Sequence, residues 1–151
     1  MRVVVQRVLS ASVTIDEKVV GSIGQGLMLL VGIEDADTRD DADWLVNKIS
    51  QLRIFSDAEG KMNLDLKSID GKVLIVSQFT LHASYKKGNR PSFLRAANPE
   101  KSIPLYEYFV STFKNLLGDD HVETGQFGAM MDVSLVNHGP VTIFMDSLNR
   151  E

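Results

Sequence analysis

Leu27-Met28-Leu29-Leu30-Val31-Gly32-Ile33 is the longest strongly apolar run in the chain. A membrane-crossing helix needs roughly 20 such residues, so this run is far too short to span. Its length and lack of alternation predict a strand buried on both faces. Gly21, Gly24 and Gly26 lead into it as turn residues. Because a strand follows them rather than a helix, they are no dinucleotide fingerprint. Upstream, residues 2–9 alternate, with Val3, Val5 and Arg7 on one face and Val4, Gln6 and Val8 on the other. Residues 10–15 and 18–20 flank Asp16-Glu17 as two hairpin strands. Gln6 and Arg7 interrupt the N-terminal apolar stretch and no small-residue cleavage site follows, which argues against a signal peptide. The expected compartment is the cytoplasm.

Downstream, Thr38 with Asp41 three positions on reads as a helix start. Ala42, Leu45, Val46, Ile49 and Leu52 then repeat at helical spacing, predicting a helix over about 39–52. Short strands are expected at 53–55 and 62–66 around a turn at 56–60, and a stronger one at 72–78 after Asp70-Gly71. Asn98 and Pro99 open a second helix whose stripe is Ile103, Tyr106, Phe109, Val110, Phe113, Leu116 and Leu117. Gly118 closes it. Two last strands, 130–136 and 141–145, flank Asn137-His138-Gly139-Pro140, which has the composition of a turn. The sum is a single α+β domain over residues 1–151, with mostly antiparallel or mixed, barrel-like sheet packed with two main helices.

The 151 residues, 44% hydrophobic and 24% charged, fit an ordinary globular domain. Area scaling gives a folded surface of roughly 7,600 Å² against about 24,000 Å² unfolded, enough burial for a core without staples. No cysteine is present, which excludes disulfide scaffolds, thiolate nucleophiles and iron–sulfur ligation. The net charge is −4, from 20 acidic and 16 basic residues. That balance counts against a nucleic-acid binder, although a local basic patch acts within a Debye length.

Few residues carry chemistry. His82, His121 and His138 fit no helical zinc motif, so no metal is expected. The stretch from Asp57 to Asn63 lacks the remaining ligands of a calcium loop and reads as a hairpin turn. Ser77-Gln78-Phe79-Thr80-Leu81-His82 follows the apolar strand and turns polar. If extended, it aims Thr80 and His82 the same way, a possible nucleophile and base; otherwise the strand has simply surfaced. The Gly139–Pro140 bond is open to either isomer. Gly125-Gln126-Phe127-Gly128-Ala129-Met130-Met131 is a pocket wall or a bulged core strand. Lys86, Lys87, Arg90 and Arg95 form a basic loop, solvated or phosphate-facing.

Together these segments resemble the D-aminoacyl-tRNA deacylases, the D-tyrosyl-tRNA deacylase family. One family motif is Ser-Gln-Phe-Thr-Leu, here Ser77 to Leu81; the other is Asn-x-Gly-Pro-Val-Thr, here Asn137 to Thr142 with His138 at the variable place. Gln6-Arg7-Val8, Lys87-Gly88-Asn89-Arg90-Pro91-Ser92-Phe93 and Thr124 to Met131 match in order along the whole chain. The resemblance implies a homodimer acting on the 3′-terminal adenosine end of aminoacyl-tRNA, without cofactor or membrane. Ser77, Gln78, Phe79 and Thr80 would line the catalytic pocket. Gly139 and Pro140 would reach in from the other subunit as a chiral filter, held by Arg7, and Phe127 and Met130 would shape the adenine side. Lys86, Lys87 and Arg90 would meet tRNA phosphates.

The implied reaction is hydrolysis of the ester of D-aminoacyl-tRNA, and of glycyl-tRNA, with L-aminoacyl-tRNA rejected. A rigid wall that blocks only the L direction works for any side chain and cannot reject glycine. Thr80 as nucleophile is one route. The family picture favours water helped by the substrate 2′-hydroxyl, with backbone N–H groups near Phe79 and Thr80 on the oxyanion. His82 lies outside the motif. The rival readings are a non-catalytic module holding aminoacyl-adenosine-like ligands and a dimeric structural protein.

Overall fold

Asp16 and Glu17 both take positive φ, 47° and 63°, the backbone of a two-residue hairpin turn whose twist matches its strands. In the computed structural model, which describes residues 1–151, this turn joins β1 (Arg2–Ile15) to β2 (Lys18–Ile23). β1 is a single long strand where the alternation suggested two. Beyond Gly24-Gln25, β3 (Gly26–Gly32) continues the return along β1, the pairing running from Ala11↔Ile23 to Arg2↔Gly32.

The first helix, α1 (Arg39–Ser50), starts where its cap signals place it. The Asp41 carboxylate accepts from the Thr38 backbone N–H at 2.8 Å and from the Thr38 hydroxyl at 2.9 Å. β4 (Phe55–Ser56) and β5 (Met62–Leu64) pair as a small separate sheet, shorter and slightly displaced from the expected strands. β6 (Lys72–Ser77) runs parallel to β3. The second helix, α2 (Pro99–Leu117), is capped by Asn98, whose side chain accepts from the Lys101 N–H at 3.1 Å. β7 (Val122–Thr124), too short to show a pattern, pairs parallel with β6. β8 (Asp132–Asp146) runs antiparallel along β1. The expected turn at 137–140 therefore lies inside one continuous strand.

The order β2-β1-β3-β6-β7 curls until β2 comes against β7, leaving the mixed sheet nearly closed into a barrel. Gly21 permits that approach, since a Cβ there would lie 2.6 Å from the Thr124 carbonyl oxygen and 3.3 Å from Leu74 Cδ1. Val8, Val13, Ile23, Met28, Leu74 and Val76 form the smaller core of the sheet. The larger core joins Leu45 and Ile49 of α1 with Phe109 and Phe113 of α2 over Val3, Val5, Leu29 and Ile75. Neither helix is long and apolar enough to cross a membrane.

Two carboxylates tie chain segments together. Burial pushes the Asp41 carboxyl up, but hydrogen bonds from the Thr38 backbone, Ser147 and the Thr38 hydroxyl outweigh it and hold the group below its ordinary range. Burial likewise opposes ionisation of Asp146, and the Leu148 N–H and the Arg2 guanidinium overcome it.

Gly21→Val is expected to destabilise the fold by about 1–3 kcal/mol in urea titrations, because backbone lies in the way. Gly24→Ala, with nothing within 4 Å of its Cβ position, is expected to change stability by less than about 0.5 kcal/mol. Asp41 and Asp146 ionise more readily folded than unfolded. Their contribution is therefore present above about pH 4 and lost as pH falls through the lower folded values. Asp146→Asn should be less stable at neutral pH and lose less on acidification, which denaturant midpoints across that range measure.

Candidate functional site

Between β1 and β8 the register slips. Gln6 faces Thr142 and Val8 faces Asn137, so residues 138–141 of β8 stand opposite Arg7 alone and bulge from the ladder. The Gly139–Pro140 peptide at this bulge is cis, and both residues are exposed. Arg7 beneath it is only 6% exposed. Its Nε donates to the His138 carbonyl at 3.0 Å, and a second guanidinium nitrogen donates to the Ile54 carbonyl. Gly139 has φ +121°, and a Cβ there would collide with that guanidinium. Only glycine satisfies both conditions without strain.

The polar motif after β6 is not extended. Phe79–His82 forms a single 3-10 turn, so the Thr80–His82 pair that an extended chain would allow does not form. His82 is turned inward and fully buried, while the Thr80 hydroxyl accepts from Gln78 Nε2. The first bond inside the turn runs from the Leu81 N–H to the Gln78 carbonyl, 3.3 Å. The N–H groups of Phe79 and Thr80 precede it and have no acceptor within the turn. The turn is pinned from two sides. Gln78 N–H donates to the Val31 carbonyl at 2.7 Å, and Arg2, itself paired to Asp146 at 3.0 Å, donates to the Leu81 carbonyl at 3.0 Å. A Cβ at Gly32 would meet the Gln78 carbonyl at 2.9 Å, so β3 can approach the turn only as glycine there.

Beside the turn lies a cleft of about 580 Å³, mostly apolar. Ser77, Gln78 and Phe79 line one wall and Phe127, Gly128, Ala129, Met130 and Met131 another. Two motifs some fifty positions apart thus share one cavity. Phe127 leans edge-on against Tyr106 with ring centroids 5.6 Å apart. The Tyr106 hydroxyl donates to the Ile75 carbonyl at 2.9 Å, and burial pushes this phenol well above its ordinary range. Met130 is 92% exposed at the rim. Thr80, Arg7, Gly139 and Pro140 do not line the cleft of this single chain.

Phe93, Ala96 and Ala97 also line it; sequence reasoning noted Phe93 only as the end of a family-matching stretch, gave it no place in the site, and passed over the two alanines. Phe93 stands edge-on to the 57%-exposed Phe79, centroids 5.2 Å apart. An aromatic directly after a Pro-containing basic loop was the available signal. That loop is pinched off by two backbone hydrogen bonds exchanged between Ser84 and Ser92, at 2.7 and 2.8 Å. Lys86, Lys87 and Arg90 all project from it into solvent.

The chain is thus a nearly closed α+β barrel with a polar turn beside an apolar cleft. Residues 4–146 match the D-Tyr-tRNA(Tyr) deacylase family. A D-aminoacyl-tRNA deacylase of Akkermansia muciniphila is 60% identical over the full length of both chains, and one of Flavobacterium psychrophilum is 57% identical over the same span. Among solved structures, the c-Myc DNA Unwinding Element Binding Protein superposes with a TM-score of 0.92 at 37% identity, covering 97% of this chain and 98% of its own. A structure described as that of "a probable eukaryotic D-amino acid tRNA deacylase" shares the fold, with a TM-score of 0.82 at 20% identity over 95% and 97% of the two chains. The chain belongs to the D-Tyr-tRNA(Tyr) deacylase family, whose members are ester hydrolases.

Gly139→Ala is expected to cost about 1–3 kcal/mol from strained φ and the clash with Arg7. Arg7→Lys keeps the charge but loses the fork, at about 1–3 kcal/mol. The double variant should cost less than the sum, because the clash disappears with the guanidinium. Denaturant unfolding of the three variants checks this.

Proposed function

We propose that this protein hydrolyses the ester bond of D-aminoacyl-tRNA, releasing free tRNA and the D-amino acid, and that it also clears glycyl-tRNA. The observation that carries the reading is the meeting of Ser77–Phe79 and Phe127–Met131 in one cleft, in a chain that matches the family from end to end. The cleft volume lies within the range of small-molecule sites, roughly 300–1,000 Å³. Its apolar walls suit a base and its polar turn suits an ester.

In this reading, the unbonded amides of Phe79 and Thr80 stabilise the oxyanion as water attacks with help from the substrate 2′-hydroxyl. The Thr80 hydroxyl, held by Gln78, orients the turn and substrate. Gln78 and Ser77 complete the pocket, with Phe127 and Met130 on the adenine side. Lys86, Lys87 and Arg90 engage phosphates, and work on tRNA makes the cytoplasm the place of action.

The chiral filter needs a second copy, because Gly139 and Pro140 are exposed and do not line the cleft of their own chain. Three features support a homodimer. β8 pairs only with β1, leaving its outer edge open. Leu9 of β1 and Val136 and Phe144 of β8 are exposed. The chain also exposes 8808 Å², above the roughly 7,600 Å² expected of a monomer of this mass. The partner's Gly-Pro bulge would then occlude the L side-chain direction while leaving D residues and glycine free.

With EDTA present, purified protein should release tyrosine from D-tyrosyl-tRNA at least about 100-fold faster than from L-tyrosyl-tRNA, a difference near 2.7 kcal/mol. Release from neither substrate favours a binding module, and equal release from both refutes the filter.

A further inference from the structure

His82 closes the turn that carries the candidate oxyanion amides, yet neither of its ring nitrogens has a hydrogen-bond partner and it is 0% exposed. An unmet buried polar group is costly, so an apolar side chain would fill the space more cheaply. The nearest charge is Glu34, whose Oε1 lies 3.7 Å from His82 Nδ1, beyond hydrogen-bond range. The other carboxylate oxygen, Oε2, is 3.3 Å from Arg95. Glu34 follows β3 and pairs with Ala96 in a single antiparallel bridge; next to it, the Ala97 N–H donates to the Ile33 carbonyl at 2.9 Å. One carboxylate thus stands between the end of the 79–82 turn and the segment that brings Phe93 to the cleft. The other charged groups nearby are already engaged. Arg2 of β1 holds the Leu81 carbonyl and Asp146 of β8, and Asp37 takes the Glu34 N–H and the Met1 amine.

We propose that His82, Glu34 and Arg95 form a clamp that positions the 77–81 turn against the 92–97 segment, and that it closes when His82 takes up a proton. A neutral imidazole can meet Oε1 only in its Nδ1–H tautomer and without charge, so it holds the Nδ1–Oε1 gap loosely. A protonated ring donates from Nδ1 to Oε1 and shortens it, while Oε2 keeps Arg95. The proton comes from solvent, and no bond to substrate is made or broken. Histidine is the side chain whose ordinary titration falls near physiological pH, and attraction between opposite charges rises steeply as water is excluded. His82 does not line the cleft; it is a positioning residue acting through Glu34 and the turn. Its effect on turnover rests on the deacylase reading, whereas the clamp itself does not.

The test exploits the presence of only three histidines. NMR of the free protein, with His121→Gln and His138→Gln for assignment, follows the His82 ring against pH. The backbone amides of Phe79, Thr80 and Phe93 should shift with the His82 midpoint. Glu34→Gln should lower that midpoint, since the opposite charge that favours the imidazolium is gone. With D-tyrosyl-tRNA, at a pH below the His82 midpoint, His82→Leu and Glu34→Gln should lower kcat about tenfold while KM stays within about twofold. His82→Asn, which keeps a donor toward Glu34 but does not titrate, should recover most of kcat and flatten its pH profile. A His82 midpoint unmoved by Glu34→Gln, or turn amides that ignore it, overturns the clamp. Failure of the wild-type protein to release tyrosine from either isomer sinks the deacylase reading instead, and the NMR titration still decides the clamp.

Discussion

The slip between β1 and β8 holds because one buried guanidinium satisfies backbone that the ladder leaves unpaired. Arg7 has no carboxylate partner; its bonds go to the carbonyls of His138 and Ile54. Burying a cation on neutral acceptors is expensive, and a bidentate fork is one of the few geometries that offsets it. The arrangement fixes the position of the Gly139–Pro140 bulge. It also ties β8 to the segment between α1 and β4, so the bulge is anchored to the sheet and the helical layer at once. The bulge is thus held from beneath by Arg7.

A second constraint acts at the far end of the sheet. β3 and β6 run parallel and finish side by side, and the turn after β6 folds back over the last residues of β3. Gly32 lets the chains touch, Val31 anchors Gln78, and Arg2 reaches from β1 to Leu81. Free amides at the end of parallel strands are a recurrent place for chemistry, since rigid strands hold a short turn more closely than a long loop would. The opposite wall depends on longer-range support, with Phe127 resting on Tyr106 and Tyr106 bonded to β6.

What could be read from the sequence follows the range of the forces involved. Thr38 with Asp41, Asn98 with Pro99, and Asp16-Glu17 act over a few residues, and each element begins or turns where those residues indicate. The run from Leu27 announced a buried strand because burial on both faces removes alternation. Asn137-His138-Gly139-Pro140 misled because its local chemistry is that of a turn, whereas its conformation is set by Arg7, more than a hundred residues away. The 77–82 segment misled for a similar reason. Its fold-back is imposed by contacts with Val31, Gly32 and Arg2, none of them local. The cleft motifs were legible as motifs, but Phe93 and the joint at Glu34 required the pairing of residues 34 and 96, which no periodicity encodes.

The acidic balance and a polyanionic substrate are reconciled by where the charges sit. Lys86, Lys87 and Arg90 stand exposed on one pinched loop, while Asp40 and Asp43 lie at the start of α1, Asp57 and Glu59 on the β4–β5 turn, and Asp119 and Asp120 after α2. With a Debye length of about 8 Å at physiological salt, the local group matters more than the sum. Under the proposed function, three phosphate contacts from this loop would give modest affinity with a salt exponent of about −2 on single-stranded RNA. Under that same function, weak backbone attraction would leave the discrimination between the two hands to the cleft and the bulge.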